Sequence, residues 1–345
     1  MLLTGLTYGQ TAKYSNEFLA IGVGARALGM SNSVIASSKD ATGTYWNPSL
    51  LNYKQSDLEI GLMHAEYFAG IANYDFGSIV AKIDETSSIG FSMIRFGIDD
   101  IPDTSELIDA NGNINYDKIK TFSANDNAFL ISYAKDNKKI TGLSLGGNVK
   151  IIHRKVGSYA KAWGFGLDFG ASYEKKGWNF AMVGRDITST FNAWSFSVED
   201  LQEVFTLTGN EIPQNSVEIT LPKLLFGVGR NIAFSEDVNL YAEVDWDVTF
   251  DGQRNVLVSG KTLALEPHLG LELSYDNMIY LRGGLGNMQR VTDFTNTQQM
   301  TFQPNVGLGL QLKKIALDYA LTDIGDQSIA LYSHIFSLRI GIDKK

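Results

Sequence analysis

From about Asp57 to its end, this 345-residue chain places apolar side chains at every second position, in run after run. The clearest run carries Trp163, Phe165, Leu167, Phe169, Ala171 and Tyr173 on one face and Gly164, Gly166, Asp168, Gly170 and Ser172 on the other. Val238, Leu240, Ala242, Val244 and Trp246 alternate with Asn239, Tyr241, Glu243, Asp245 and Asp247 in the same way. So do Leu269, Leu271, Leu273 and Tyr275 with Gly270, Glu272 and Ser274. A side-chain period of two sustained like this belongs to strands with one apolar face. Fourteen runs can be counted, near 57–68, 73–83, 87–98, 126–136, 140–154, 160–174, 177–187, 220–232, 237–249, 265–275, 278–290, 302–313, 314–321 and 330–342. They are about ten residues long, which is what a tilted strand needs to cross a bilayer. Strands of soluble proteins more often run to about five or six.

The connections separate by parity. The even-numbered ones are tiny: 84–86, 137–139, 175–176, 233–236, 276–277 and the Lys313/Lys314 junction. Of the odd-numbered ones, four are long, near 99–125, 188–219, 250–264 and 291–301. Short turns at one rim and long loops at the other are how outer-membrane barrels are built, and a soluble double sheet has no reason to sort its loops this way. The expected fold is therefore all-β, a 14-stranded antiparallel transmembrane barrel, closed so that no strand edge meets lipid. An even strand number puts both chain ends at the short-turn rim, which is periplasmic in such barrels, with the long loops extracellular.

That leaves the start of the chain. Residues 1–10 resemble the tail of a signal peptide, although without its positive beginning. Residues 11–52 are rich in small residues and end in Trp46-Asn47-Pro48, unlike anything later. Starting at the periplasmic rim, they can enter the lumen as a hatch, with 53–345 forming the barrel as a single domain. Proline fixes its own φ and pushes Asn47 towards extended geometry, a rigid turn before the first strand. Arg26 and Asp40 are candidate polar ties from hatch to wall.

Composition narrows the function. Lys and Arg number 29 against 38 Asp and Glu, a formal charge of −9, which argues against nucleic-acid binding. The chain has no cysteine, so disulfides and thiolate sites are excluded. Inward faces carry Asp168, Glu243, Asp245, Asp247, Glu272, Arg282, Asp318 and Arg339. Buried charges must be paired, so cross-lumen networks holding a plug are expected, and no nucleophile–base motif accompanies them. Neither catalytic residues nor a cofactor is expected, beyond a possible bound lipid or detergent. Asp109, Asn111, Asn113, Asn115 and Asp117 offer oxygens at alternate positions like part of a calcium loop, but no glutamate closes it at the twelfth position. An exposed Asn-Gly turn is the simpler reading. The long connections hold Phe191, Trp194, Phe196, Phe205, Phe294 and Met300, which either dock a partner or pack down over the pore.

Gly22-Val-Gly-Ala-Arg-Ala-Leu-Gly-Met30, Asp40 and Trp46-Asn-Pro-Ser49 resemble the PorV/PorQ family of outer-membrane proteins, as do Ala316–Gly325 and His334–Arg339. The resemblance implies a FadL-like barrel with an N-terminal hatch, serving the type IX secretion system of Bacteroidota. Its implied partners are other outer-membrane secretion proteins, such as a large translocon barrel, and the C-terminal signal domains of cargo. The compact chain fits a PorV paralogue. The other function open to such a barrel is a FadL-type channel for a hydrophobic small molecule.

Overall fold

The computed structural model describes residues 15–53, 56–108, 112–199, 201–202, 205, 211, 213–292, 298–322 and 332–343. The expected signal-peptide remnant at 1–10 lies outside the described residues.

The strands are β1 (Leu58–Tyr67), β2 (Ala72–Asp84), β3 (Ser87–Asp103), β4 (Lys120–Asp136), β5 (Leu143–Val156), β6 (Ala160–Lys175), β7 (Trp178–Arg185), β8 (Thr190–Phe196) and β9 (Ser216–Thr220). They continue as β10 (Lys223–Ala233), β11 (Val238–Thr249), β12 (Val258–Ser259), β13 (Ala264–Tyr275), β14 (Ile279–Thr292), β15 (Gln298–Leu312), β16 (Ile315–Thr322) and β17 (Ser333–Ile342). Every pairing is antiparallel, and β17 returns to β1 from Leu58↔Ile342 to Glu66↔His334, which closes the sheet. The ring has fourteen staves: β7 and β8 are two parts of the seventh, β9 and β10 two parts of the eighth, and β12 is a short addition to β13.

Those two broken staves correct the sequence reading. The connection expected at 188–219 is shorter, because β8 and β9 continue the wall into it. Phe191, Trp194 and Phe196 are therefore strand residues rather than loop residues. The cause is a bulge. Phe169 pairs with Gly184 and Phe165 with Phe191, so 185–190 stand opposite only 166–168. Asp186 and Ser189 take positive φ there (54° and 58°), and the extra residues break the alternation that marked the run. Met300 is likewise on a strand, β15, and β3 and β4 extend towards each other past a bulge at 99–100. The parity of the connections persists: one rim turns at 85–86, 137–142, 176–177, 234–237, 276–278 and 313–314, and the long connections lie at the other.

Outward positions keep their apolar side chains uncovered: Leu62, Phe91, Ile131, Phe180, Leu271 and Leu308 are 42–55% exposed. Inward positions are small or polar. The packed core is inside the cylinder, where residues 15–53 meet the wall. Phe18, Val23, Leu28, Met30, Ile35 and Trp46 of this inner segment pack with wall residues such as Met63, Tyr74, Ile94, Leu130, Ile152 and Leu225. The segment folds as two short helices, α1 (Ala25–Gly29) and α2 (Gly43–Trp46), with 3-10 turns at Glu17–Leu19 and Pro48–Tyr53.

Glycine on the inner face makes that fit possible. A Cβ on Gly284 of β14 would overlap backbone atoms of Met30 and Ser31, and one on Gly146 of β5 would overlap Pro48 and Ser49. Backbone cannot swing aside as a long side chain can. Gly284→Ala should therefore destabilise the folded barrel by about 1–3 kcal/mol, lowering the temperature at which an unboiled gel band converts to the boiled position. Gly283→Ala is the internal control, because the added methyl meets nothing within 4 Å.

Candidate functional site: the fastening of the inner segment

Three groups of lumen-facing side chains hold the inner segment, and they differ chemically. The first is a circuit of alternating charge. Arg26 of α1 donates from Nε and Nη2 to the two oxygens of Glu272 on β13, at 2.9 and 3.1 Å. Arg282 on β14 donates to Glu272 at 2.6 Å and to Asp318 on β16 at 2.7 Å. Arg339 on β17 lies 3.6 Å from Asp318 and 3.1 Å from Asp40, which returns the circuit to the inner segment. Each charge has opposite charges as neighbours, which is what a dry site requires. Asp40 also accepts from the Thr42 backbone N–H at 2.8 Å, fixing the turn into α2.

The second group consists of wall carboxylates that accept backbone N–H groups. Glu243 takes Ala36 N–H at 2.6 Å and Asp245 takes Ile35 N–H at 2.9 Å, both from β11. Glu59 of β1 takes Ala41 N–H at 2.5 Å. Tyr241 donates to the second oxygen of Glu243 at 2.9 Å. The stretch 34–41 is irregular, so its donors lack a ladder to join, and the wall supplies the acceptors.

The third group surrounds the aromatic end of α2. Arg185 donates to the Tyr45 hydroxyl at 3.2 Å and its carbonyl at 3.1 Å, and lies over the Tyr45 ring at 4.3 Å. Trp46 Nε1 donates to the Val23 carbonyl at 2.8 Å. Lys150 bridges Asp168 at 3.1 Å and Asp186 at 2.5 Å, and Thr190 donates to Asp186. Arg185, Asp186 and Thr190 belong to the bulge in the seventh stave, so the distortion of the wall aims them at the inner segment.

Asn47 and Pro48 stand between these groups. Asn47 is extended (φ −155°, ψ 100°). Its Nδ2 donates to the Ile35 carbonyl at 2.9 Å, and its Oδ1 accepts from the Ser49 amide at 3.1 Å and hydroxyl at 2.7 Å. Glycines 146 and 170 of the wall receive the pair, since Cβ atoms there would meet Pro48 and Asn47. The turn is a pin between two parts of the inner segment and the wall.

Towards the long-loop rim the inner segment leaves a chamber of about 410 Å3. Asn16, Lys223, Asp247, Asp251, Arg254 and His268 line it together with apolar residues such as Leu19, Trp46, Leu130 and Leu225, so its character is mixed. Lys223 meets Asp247 at 3.4 Å and Arg254 meets Asp251 at 2.5 Å. Burial raises the Asp251 carboxyl, but hydrogen bonding and charge from Arg254 outweigh it and hold the group below its ordinary value. On the other side of the inner segment, the space between Arg26, Asp40 and Met63 is only about 10 Å3.

Arg26, Asp40, Trp46, Asn47 and Pro48 are thus brought together in the lumen with all eight of the inward charges singled out by sequence. Glu59, Lys150 and Arg185 were missed. Glu59 and Lys150 alternate correctly in their runs and could have been read, whereas Arg185 precedes the bulge, where the pattern fails. Trp194 faces inward, donating to Glu218 at 2.9 Å with the Arg154 guanidinium 5.1 Å from its ring. Phe196 shares its parity and stacks beside it, while Phe191 points outward and is 43% exposed. Met300 is 58% exposed, Phe205 is half-buried and Phe294 lies outside the described residues. Asp109 and Asn111 also lie outside them. Asn115 accepts from the Asp117 amide at 3.0 Å, which makes that part of the candidate calcium loop a capped turn. Among the described residues no group of three or more carboxylates and histidines is placed to hold a metal.

The closed sheet with its apolar exterior and filled lumen defines an outer-membrane β-barrel of FadL-like fold. The toluene transporter TodX of P. putida shares it at a TM-score of 0.58, with 12% identity over 94% of this chain and 99% of that one. The toluene transporter TbuX of Ralstonia pickettii gives 0.56, with 12% identity over 93% and 98%. A Pseudomonas aeruginosa FadL homologue gives 0.51, with 12% identity over 92% and 97%. At these identities the likeness concerns the fold alone. No curated protein matches the chain. The family model for type IX secretion system protein PorV matches residues 9–183, half of the sequence, and the chain belongs to that family.

The geometry ranks the charges. Arg282 is 1% exposed and bridges two carboxylates, whereas Arg26 is 16% exposed and serves one. Removing one partner of a buried pair costs about 3–5 kcal/mol. Arg282→Met should approach that figure and Arg26→Met should fall short of it, measured as denaturant midpoints of the barrel refolded in lipid vesicles.

Proposed function

We propose that this barrel serves type IX secretion as a plugged, non-enzymatic partner. It works by contact with other outer-membrane secretion proteins and with the C-terminal signal domains of cargo, and not by conducting a solute. In this reading both chain ends and the short turns face the periplasm, the long connections face outwards, and residues 11–52 are a hatch that stays seated. Family membership supports the secretion role. The observation that carries the plugged reading is the fastening: the inner segment is tied to the wall by buried charge pairs and by carboxylates on its backbone. The chamber beside it is lined by ion pairs. A hydrophobic solute gains by leaving water for apolar surface, and here it would meet charged pairs as well as apolar side chains.

Affinity capture from native outer membranes should bring down a larger membrane protein with the barrel. Deletion should strip secreted proteins from the cell surface while uptake of small hydrophobic compounds is unchanged. A barrel captured alone with detergent or lipid in its lumen, or a deletion that abolishes uptake and spares surface display, would reverse the reading.

A further inference from the structure

The outward row of β6 runs from Lys161 and Trp163, through apolar positions, to Tyr173 and Lys175. The eleven residues from Trp163 to Tyr173 match the roughly 9–11 that a tilted strand needs to cross a bilayer. Trp and Tyr settle at the two water–lipid interfaces, so the row marks both edges of the membrane, with a lysine beyond each. Neighbouring staves repeat this ending at the short-turn rim. On β4, Lys135 follows Tyr133 by two residues, and Trp178 opens β7 directly opposite both Lys175 of β6 and Arg230 of β10. The Arg230 guanidinium lies over the Trp178 ring, 4.7 Å from its centroid. Lys135, Lys175 and Arg230 are all exposed, and the turns between these staves add Lys138, Lys139 and Lys176.

Charge is sorted by sign across the wall in this sector. Its two carboxylates, Asp136 and Glu174, alternate onto the other face, where Asn52 donates to Asp136 at 3.0 Å and Lys39 to Glu174 at 2.6 Å. Among the described residues, none of the six cations lies within ion-pair distance of a carboxylate. Six cations less two carboxylates give the sector +4, on a chain whose formal charge is −9. Acidic turns bound it, with Asp84 and Glu85 on one side and Glu236 and Asp237 on the other.

We propose that this sector, the short-turn rim of β4–β7 and β10, binds the headgroup of an anionic phospholipid in the periplasmic leaflet. Lys175 and Arg230 flank Trp178 two strand spacings apart, about 10 Å, which two long side chains can bridge around one phosphate. A guanidinium held flat on an indole keeps its N–H edge free, and that edge can meet two phosphate oxygens at once. The acyl chains then run up the wall over Phe180 and Phe169, which are both 42% exposed. Lys135, Lys138, Lys139 and Lys176 supply the wider field that favours a lipid of net negative charge over a zwitterionic one. A lipid is the occupant because Lys135, Lys175 and Arg230 leave the wall sideways, beside the interfacial aromatics where headgroups lie. An acidic soluble protein approaching the turns from below would reach the turn lysines and miss these three. The choice of leaflet rests on the reading that puts the short turns in the periplasm; the phosphate site itself does not.

The test offers the full-length barrel, in detergent, equimolar phosphatidylglycerol and phosphatidylethanolamine. Native mass spectrometry should show the anionic lipid retained at least about fivefold better, the order expected of one cation near an anionic surface. Lys175→Gln combined with Arg230→Gln should abolish the preference. Lys261→Gln combined with Lys313→Gln removes the same charge elsewhere and should leave it intact, with both double variants keeping the gel shift of a folded barrel. A wild type without preference, or equal loss in the two double variants, overturns the site. Displacement of the lipid by millimolar inorganic phosphate also overturns it, since that marks a plain anion site. In the native outer membrane, a photoreactive amino acid at Phe180 should capture phospholipid. A protein adduct there instead gives the face to a protein and overturns the proposal. Capture of lipid A overturns the periplasmic leaflet, and with it the orientation, while a phosphatidylglycerol preference in detergent would still stand for the phosphate site.

Discussion

The alternating circuit Arg26–Glu272–Arg282–Asp318–Arg339–Asp40 ties a segment from one end of the sequence to strands near the other. It contains three guanidinium groups and three carboxylates, so it adds no net charge to a lumen that is already filled. Its division is informative. The wall contributes Glu272, Arg282, Asp318 and Arg339, which balance among themselves, and the inner segment contributes Arg26 and Asp40, which also balance. Parting the two would leave neither side with a net charge. The circuit therefore holds by its local ion pairs, Arg26–Glu272 and Asp40–Arg339, and not by attraction between bodies of unlike net charge. Glu59, Glu243 and Asp245 act differently, because each accepts an N–H of the inner segment and would lose that donor if the segment left. The wall's acids thus hold the segment by its backbone, while Arg339 and Arg185 hold it at Asp40 and Tyr45.

A charge circuit can form only if the segment comes close enough to the wall. A cylinder of fourteen strands has an interior wider than side chains alone can fill. The chain resolves this by moving a compact segment inside and reducing the wall to glycine where backbone meets backbone, as at Gly146 and Gly284. Glycine in a strand weakens it locally, since it brings no packing side chain and costs entropy to order. That cost is offset by inner apolar packing: Met30 and Ile35, each at most 1% exposed, are buried as fully as any core residue of a soluble protein. The strands face lipid on one side and a folded peptide on the other, which is why their two faces differ so consistently.

That difference made the fold legible. Trp163 to Tyr173 alternates without error because its odd positions face outwards and its even positions face Asn47, Pro48 or the bulge. The shortness of the turns at one rim needed no structure to be seen. What alternation cannot show is where a wall bends. Residues 185–190 bulge against three residues of β6, and the run that resumes at Thr190 is seven residues long, so Phe191 to Phe196 read as loop. The candidate site was legible to a similar degree. Charges on inward faces could be listed by parity, and Arg26 and Asp40 singled out as the hatch's ties. Their partners could not, because pairing across a lumen depends on the rotation of the inner segment, which no local pattern encodes. The N–H acceptors were harder still: Glu243 and Asp245 look like any acidic pair in a strand until the irregular backbone of 34–36 is laid against them.

The fold leaves the chemistry of the lumen open, and the residues inside it bear on that chemistry directly. The neighbours in fold include barrels described as toluene transporters, yet a fold of this kind hosts whatever its lumen and loops are built to do. Here the space on one side of the inner segment is lined in part by Lys223–Asp247 and Arg254–Asp251 pairs, with Arg185 reaching in over Tyr45, and in part by apolar residues such as Leu130 and Leu225. An apolar molecule entering it would displace water from ion pairs without replacing their hydrogen bonds. On the far side it would meet the Arg26–Asp40 circuit, whose opening separates charges in a low-dielectric interior, where their attraction is stronger than in water.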